Sequence, residues 1–379
     1  MRATLKSLAL SCALGASLAS AQTCPTRASW PTDEWPVNLV DATARAAPIK
    51  ALEDFAFTLV GTDAERKGFR TDGLVIIKNG VLVYERYGRG HDATKRHISW
   101  SVAKSFSSAL VGIAVREGAL TLDDSICKHL PEYEGTAQCA ITVKDAITFG
   151  TALGWQEEYE NASYQVSSVI AMLYGAGHRD QLKHILTHKL VAEPGKRWSY
   201  STGDAELASA LAKRALAKAH GKDVFWKLLF EPIGMKRVVF EEDVLGTPLG
   251  GSMVFATPRE FAKFGFLFMN DGCWNGARIM PEGWVASSVT PSDVFTATAP
   301  DTEDTPSGYS WWLNKASPAR NKPKPWADLP DDTYAALGHW GQRIIVVPSE
   351  DLVVVRTGDD REGSIDVNEL TKLSLAVTR

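Results

Sequence analysis

Apolar runs near the two ends of the chain, and longer periodic stretches between them, set the expected architecture. Leu74-Val75-Ile76-Ile77 and Val81-Leu82-Val83-Tyr84 flank Lys78-Asn79-Gly80, and Asn-Gly between apolar runs marks a tight hairpin. A second hairpin is predicted where Arg343-Ile344-Ile345-Val346-Val347 and Leu352-Val353-Val354-Val355 flank Pro348-Ser349-Glu350-Asp351. The middle reads differently. Phe106, Leu110, Ile113 and Ala114 recur at helical spacing before Gly118 and predict a helix over 101–117. Ala205 to Ala219 is amphipathic and closes at Gly221, Thr257-Pro258 opens a helix to Met269, and about 367–377 closes the chain as a helix. Residues 314–332, rich in Pro, Asp and Lys, read as an exposed loop. These elements predict a mixed α/β (α+β) fold. An antiparallel sheet draws on both chain ends, about 50–100 and 335–379, around an inserted helical region of about 101–300, and the cleft is expected where the two meet.

Composition changes this picture in two places. Met1-Arg2-Ala3-Thr4-Leu5-Lys6, the short apolar stretch Leu8 to Leu18, and Ala19-Ser20-Ala21 follow the layout of a secretory signal, with cleavage expected after Ala21. Residues 22–379 then form the exported chain, periplasmic or extracellular, without a membrane-spanning segment. The full chain has 41 basic and 45 acidic residues; losing Arg2 and Lys6 moves the formal charge from −4 to −6. Such dispersed acidity argues against a nucleic-acid partner. Cys24, Cys127, Cys139 and Cys273 remain, allowing three pairings, of which Cys127 with Cys139 is favoured by closeness in sequence. No Cys-x-x-Cys or His-Glu-x-x-His occurs, so no metal and no cofactor is expected.

Candidate chemistry begins at Ser101-Val102-Ala103-Lys104. Residues three apart on a helix share a face, which lets a lysine amine reach the serine hydroxyl, and a desolvated lysine can act as the base that serine needs. Ser125-Ile126-Cys127-Lys128 repeats the spacing but lies in a turn before Pro131, where nothing fixes the two side chains together. Tyr200 in Trp198-Ser199-Tyr200-Ser201-Thr202-Gly203-Asp204 sits at a helix start after the Pro194-Gly195 turn and offers a phenol for proton transfer; a packed ring is the alternative. Gly338-His339-Trp340-Gly341-Gln342 precedes a strand, so the backbone amide of Gln342, with that of Ser101, is placed to meet a developing oxyanion. No Gly-x-Ser-x-Gly elbow occurs in the expected mature chain.

In order and context the three motifs resemble the beta-lactamase-related serine hydrolases of the penicillin-binding type. That group includes class C beta-lactamases, D-stereospecific peptidases, family VIII esterases and 6-aminohexanoate-dimer hydrolases. Ile141-Thr142-Val143-Lys144-Asp145, Phe230-Glu231-Pro232-Ile233-Gly234-Met235, Gly250-Gly251-Ser252-Met253 and Pro281-Glu282-Gly283-Trp284 are similar to family stretches in the expected order. The resemblance covers roughly 50–379 and looks nearest the nylon-oligomer hydrolase branch. It implies a small-molecule amide or ester substrate, Ser101, Lys104 and Tyr200 as catalytic residues, and His339, Trp340, Gly341 and Thr202 at the substrate. It also implies two alternatives: beta-lactamase or D-amino-acid peptidase activity, and a non-catalytic penicillin-binding-like sensor.

Two departures bear on substrate. Where beta-lactamases of this group usually carry Lys-Thr-Gly and Tyr-x-Asn, this chain has His339-Trp340-Gly341 and Tyr200-Ser201-Thr202. Neutral histidine does not replace a permanent cation for a substrate carboxylate. Threonine offers a shorter hydroxyl in place of the Asn amide. Trp100, Trp155, Trp311, Trp312 and Trp340 fall in or near the motifs and predict an aromatic cleft, and Asn161-Ala162-Ser163 matches a glycosylation sequon.

Overall fold

The computed structural model describes residues 24–160, 163, 165–298 and 305–379. The expected signal segment and the Asn161-Ala162 part of the sequon lie outside them. Its centre is a six-stranded antiparallel sheet of β1 (Thr71–Lys78), β2 (Val81–Tyr87), β3 (Trp312–Leu313), β4 (Tyr334–Gly338), β5 (Gln342–Val347) and β6 (Leu352–Gly358), in the order β2-β1-β6-β5-β4-β3. Both predicted hairpins form. Asn79 and Gly80 take φ of 53° and 75°, the left-handed pair that a two-residue turn requires. The two hairpins join through β1 and β6, with Ile76 opposite Val354.

Both faces of the sheet are covered, which explains why its strands read as unbroken apolar runs. Val75, Ile77, Ile344, Val346, Val353 and Val355 face the helical region and share a core with Phe106 and Phe264. The alternate residues Leu74, Ile76, Ile345, Val347, Leu352 and Val354 face Leu52, Leu370 and Leu375 from two helices at the chain ends. These are α1 (Ala46–Phe57), which pairs with the last helix, α5 (Val367–Thr378). Little in the sequence marks α1: its N-cap Arg45 makes no side-chain cap, its first turn has no acid, and only Leu52 and Ala56 are fully buried.

Between β2 and β3 run α2 (Ala103–Arg116), α3 (Thr202–His220) and α4 (Pro258–Met269), among shorter helices. α2 packs on α3, and α4 lies on the sheet. The ring of Phe106 stacks on that of Phe264 at 3.6 Å, fixing α2 to α4. The cap of α4 is as predicted: Thr257 and Glu260 form a reciprocal capping box with Pro258 in the first turn. No helix of the described residues is long and apolar enough to cross a membrane.

The stretch 314–332 is a largely exposed loop, as expected, held by a few buried anchors. Asn314 is fully buried, and its Nδ2 donates to the carbonyls of Trp326, Leu329 and Pro330. One amide side chain thus folds the segment back on itself, a contact invisible in its polar composition. Cys127 pairs with Cys139, and Cys24 with Cys273. The shorter bridge closes a separation of 12 residues, so Cys127→Ala with Cys139→Ala is expected to cost about 2–4 kcal/mol in urea unfolding, with the fold retained.

Candidate active site

Ser101 lies in the 3₁₀ turn Trp100–Val102 that runs directly into α2. The preceding Trp100 holds φ at 45°, a strained value for a bulky residue and one that marks a constrained position. One turn on, Lys104 Nζ donates to Ser101 Oγ at 3.0 Å, Thr202 Oγ1 at 2.8 Å and the Gly251 carbonyl at 2.8 Å. Lys104 is only 2% exposed. Desolvation lowers its pKa from 10.5 to about 8, against the opposing pull of Glu157, Glu206 and Asp204. When the amine loses its proton, the lone pair is free to take one from the Ser101 hydroxyl.

Behind this pair stands a network absent from the sequence analysis. Glu157 Oε2 accepts from the Thr202 backbone N–H at 2.9 Å and from Trp155 Nε1 at 2.6 Å. The Thr202 hydroxyl donates to Glu157 Oε1. Thr202 is the first residue of α3, so the Glu157 carboxylate also meets the positive end of that helix. Thr202, expected at the substrate, is fully buried on the far side of Lys104, where its hydroxyl links the amine to Glu157. One turn along α3, Glu206 is buried with neither carboxyl oxygen hydrogen-bonded, and burial pushes its pKa well above the usual carboxylate range. Asp204 accepts from the Thr151 hydroxyl at 2.9 Å, yet burial still raises it to about 7. Glu157 sits in an irregular segment with no motif around it, so only the fold brings it to Lys104.

A cavity of about 570 Å³ opens in front of Ser101 and is also lined by Tyr200, His339, Trp155, Trp198 and Trp312. The Tyr200 ring stacks on Trp312, and Lys104 Nζ lies 4.9 Å from its centroid. His339 stacks on Tyr159, with Nε2 2.8 Å from Glu160 Oε1, and burial is the main cause that lowers its pKa. A larger hollow, about 670 Å³, lies beside Lys213 and Trp226, but no serine-lysine pair lines it.

Several residues expected at the cavity are placed elsewhere. Trp340 packs edge-on against Trp100 and donates from Nε1 to Glu160 Oε1 at 3.1 Å. Gly341 has φ of 86°, and a Cβ there would lie 2.1 Å from an Arg356 nitrogen, so this glycine makes room for the buried Arg356–Asp360 ion pair. The Gln342 side chain is spent on Gly358, accepting from its N–H at 3.0 Å and donating to its carbonyl at 2.6 Å. Trp311 is fully buried beside Phe268 and Tyr334, whereas Trp312 lines the cavity. The sequence analysis missed Arg343, a 6%-exposed guanidinium that lines the cavity and has a buried Nε without a hydrogen-bond partner.

The Lys104 environment yields a direct test. Removing the nearby negative charge with Glu157→Gln is expected to lower the Lys104 pKa below about 8, because that charge favours the ammonium form. Titration of lysine-labelled protein by NMR checks it; an unmoved or raised value would contradict this electrostatic assignment.

Comparison with known proteins agrees with the fold. A 6-aminohexanoate-dimer hydrolase of Paenarthrobacter ureafaciens is 20% identical over 331 residues, covering 83% of this chain and 79% of the relative. The solved structure of a Bacillus anthracis protein, described provisionally as a 6-aminohexanoate-dimer hydrolase, superposes with a TM-score of 0.68 at 20% identity, covering 92% of this chain and 87% of that one. A class C beta-lactamase superposes with a TM-score of 0.61 at 13% identity, covering 90% and 98%. The beta-lactamase family model matches residues 56–368, and the chain belongs to that family.

Proposed function

We propose that the protein is a serine hydrolase that cleaves an amide or ester bond through an acyl-enzyme on Ser101. The observation that carries this reading is the 3.0 Å contact between Ser101 Oγ and a buried Lys104 amine whose pKa is lowered to about 8. Ser101 Oγ attacks the substrate carbonyl carbon while its proton passes to Lys104 Nζ or to the Tyr200 phenolate. The backbone N–H groups of Ser101 and Gln342 hold the oxyanion. The carbon–nitrogen or carbon–oxygen bond then breaks as the leaving group takes a proton from Tyr200 or Lys104. Water attacks the acyl-enzyme by the same route in reverse and restores the Ser101 hydroxyl. Thr202 and Glu157 are positioning residues that hold the amine against the serine.

The aromatic lining of Trp155, Trp198 and Trp312 suits an apolar acyl or amine group. The name of the Paenarthrobacter relative supports an amide of linear, carboxylate-bearing character. His339, whose pKa is lowered chiefly by burial, offers such a carboxylate no permanent charge, but Arg343 does.

Ser101→Ala is expected to abolish hydrolysis of p-nitrophenyl acetate without unfolding the protein, and wild-type protein to show an acetyl adduct on Ser101 in quenched mass spectra. Turnover retained by the alanine variant would overturn the mechanism, and an adduct without turnover would favour the sensor reading. The base must be unprotonated, so kcat/KM should rise with pH through about 8. Arg343→Gln should raise KM about tenfold for a carboxylate-bearing amide while leaving the neutral ester unaffected; equal effects on both would remove Arg343 from substrate binding.

A further inference from the structure

A second cluster of chemistry-bearing side chains lies away from the cavity, where β1 leaves the sheet. Asp72 is in β1, His91 follows β2, and His97 is in the short strand His97–Ile98. One donor atom from each of the three lies within 4.8 Å of the others, and none of the residues lines the cavity before Ser101. No sequence motif joins them, since the fold alone brings β1 against the segment that follows β2.

The hydrogen bonding of His97 decides what this cluster holds. Its Nδ1 lies 3.0 Å from the Ile98 carbonyl, which can only accept, so Nδ1 carries the proton. The Nε2 lone pair then faces Asp72 Oδ2 at 3.0 Å. Two lone pairs at that distance need a cation between them. The other carboxylate oxygen, Asp72 Oδ1, is buried without a hydrogen bond and lies 3.6 Å from His91 Nε2. Asp72 is 3% exposed at its side chain, His97 11% and His91 30%, so the open side of the cluster is at His91.

We propose that Asp72, His91 and His97 bind one Zn²⁺ ion, with a water in the fourth position. Zinc ligands at about 2.0–2.2 Å in tetrahedral array stand roughly 3.3 Å apart, and the two imidazole contacts to Asp72, at 3.0 Å and 3.6 Å, bracket that spacing. The Nδ1–H bond to the Ile98 carbonyl is the outer contact that fixes a ligating imidazole in the correct tautomer. Arg89 opposes binding: its Nε lies 3.6 Å from Asp72 Oδ1, and it has a second acid to turn to, Asp359 Oδ2, at 3.6 Å from Nη2. Lys95 adds a further positive charge near His91. His97 stands four residues before Ser101, so bound metal braces the strand that leads into the nucleophile turn and does not enter the reaction.

The test is calorimetric titration of chelator-treated full-length protein with ZnCl₂, together with thermal unfolding and the visible spectrum of the Co²⁺-substituted protein. One ion per chain, a raised Tm and tetrahedral Co²⁺ bands are expected. His91→Ala should weaken binding at least tenfold and remove the Co²⁺ bands. His91 is partly exposed and makes no hydrogen bond that α2 depends on, so this variant is expected to fold, and circular dichroism confirms it. Arg89→Gln should tighten binding. Absence of binding at millimolar Zn²⁺, or binding unchanged in His91→Ala, would overturn the site and establish a proton as the cation between His97 and Asp72. Neither result bears on the Ser101 mechanism, which is read separately from the acyl adduct.

Discussion

The rest of the structure depends on keeping an amine in a place that water does not reach. Lowering the Lys104 pKa from 10.5 to about 8 means that its ammonium form is disfavoured on folding by about 3 kcal/mol. Because the unfolded chain binds the proton more tightly, this cost is fully present below about pH 8 and is relieved as pH rises toward the unfolded value near 10.5. That net cost already includes the opposing pull of Glu157, Glu206 and Asp204, and three hydrogen-bond acceptors hold the amine in place. Those elements explain much of the surrounding arrangement. Gly251 must be a glycine, because a Cβ there would lie 2.4 Å from Thr202 Cγ2 and push the accepting carbonyl away. The start of α3 must meet α2 closely, because Thr202 supplies both an acceptor for the amine and a donor for Glu157.

The acids near Lys104 are kept different by their partners. Glu157 receives a backbone N–H, an indole N–H and a hydroxyl. Glu206 receives none, and burial drives it toward the neutral acid. Were Glu206 equally solvated by donors, its negative charge would favour the Lys104 ammonium further and weaken the amine as a base.

What was legible in the sequence was local. Asn79-Gly80, the Thr257-Pro258 helix start and the Ser101/Lys104 spacing each encode their geometry within one turn, and each is found as expected. The outcomes that differ depend on register and on long-range approach. Trp311 and Trp312 are adjacent, yet one is in the core and the other in the cavity, because successive residues of extended chain point to opposite sides. Thr202 fell within a recognisable motif, but the motif fixed its backbone position and not which way its side chain faces. Glu157, Arg343 and the Asp72 cluster have no neighbours in sequence that report their chemistry. Glu157 meets Thr202 across 45 residues and His97 meets Asp72 across 25.

The pairing of β1 with β6 has a consequence for synthesis. Lys78 lies opposite Leu352, so 274 residues (352 − 78) must be made after the first strand before its partner exists. At roughly 5–20 residues per second, that interval is about 14–55 s. During it, the two-stranded β1–β2 ribbon presents an open apolar edge, and α2 has emerged without Gly338 and His339, which line the cavity before Ser101. A chain still being made therefore carries Ser101 and Lys104 early but encloses them last.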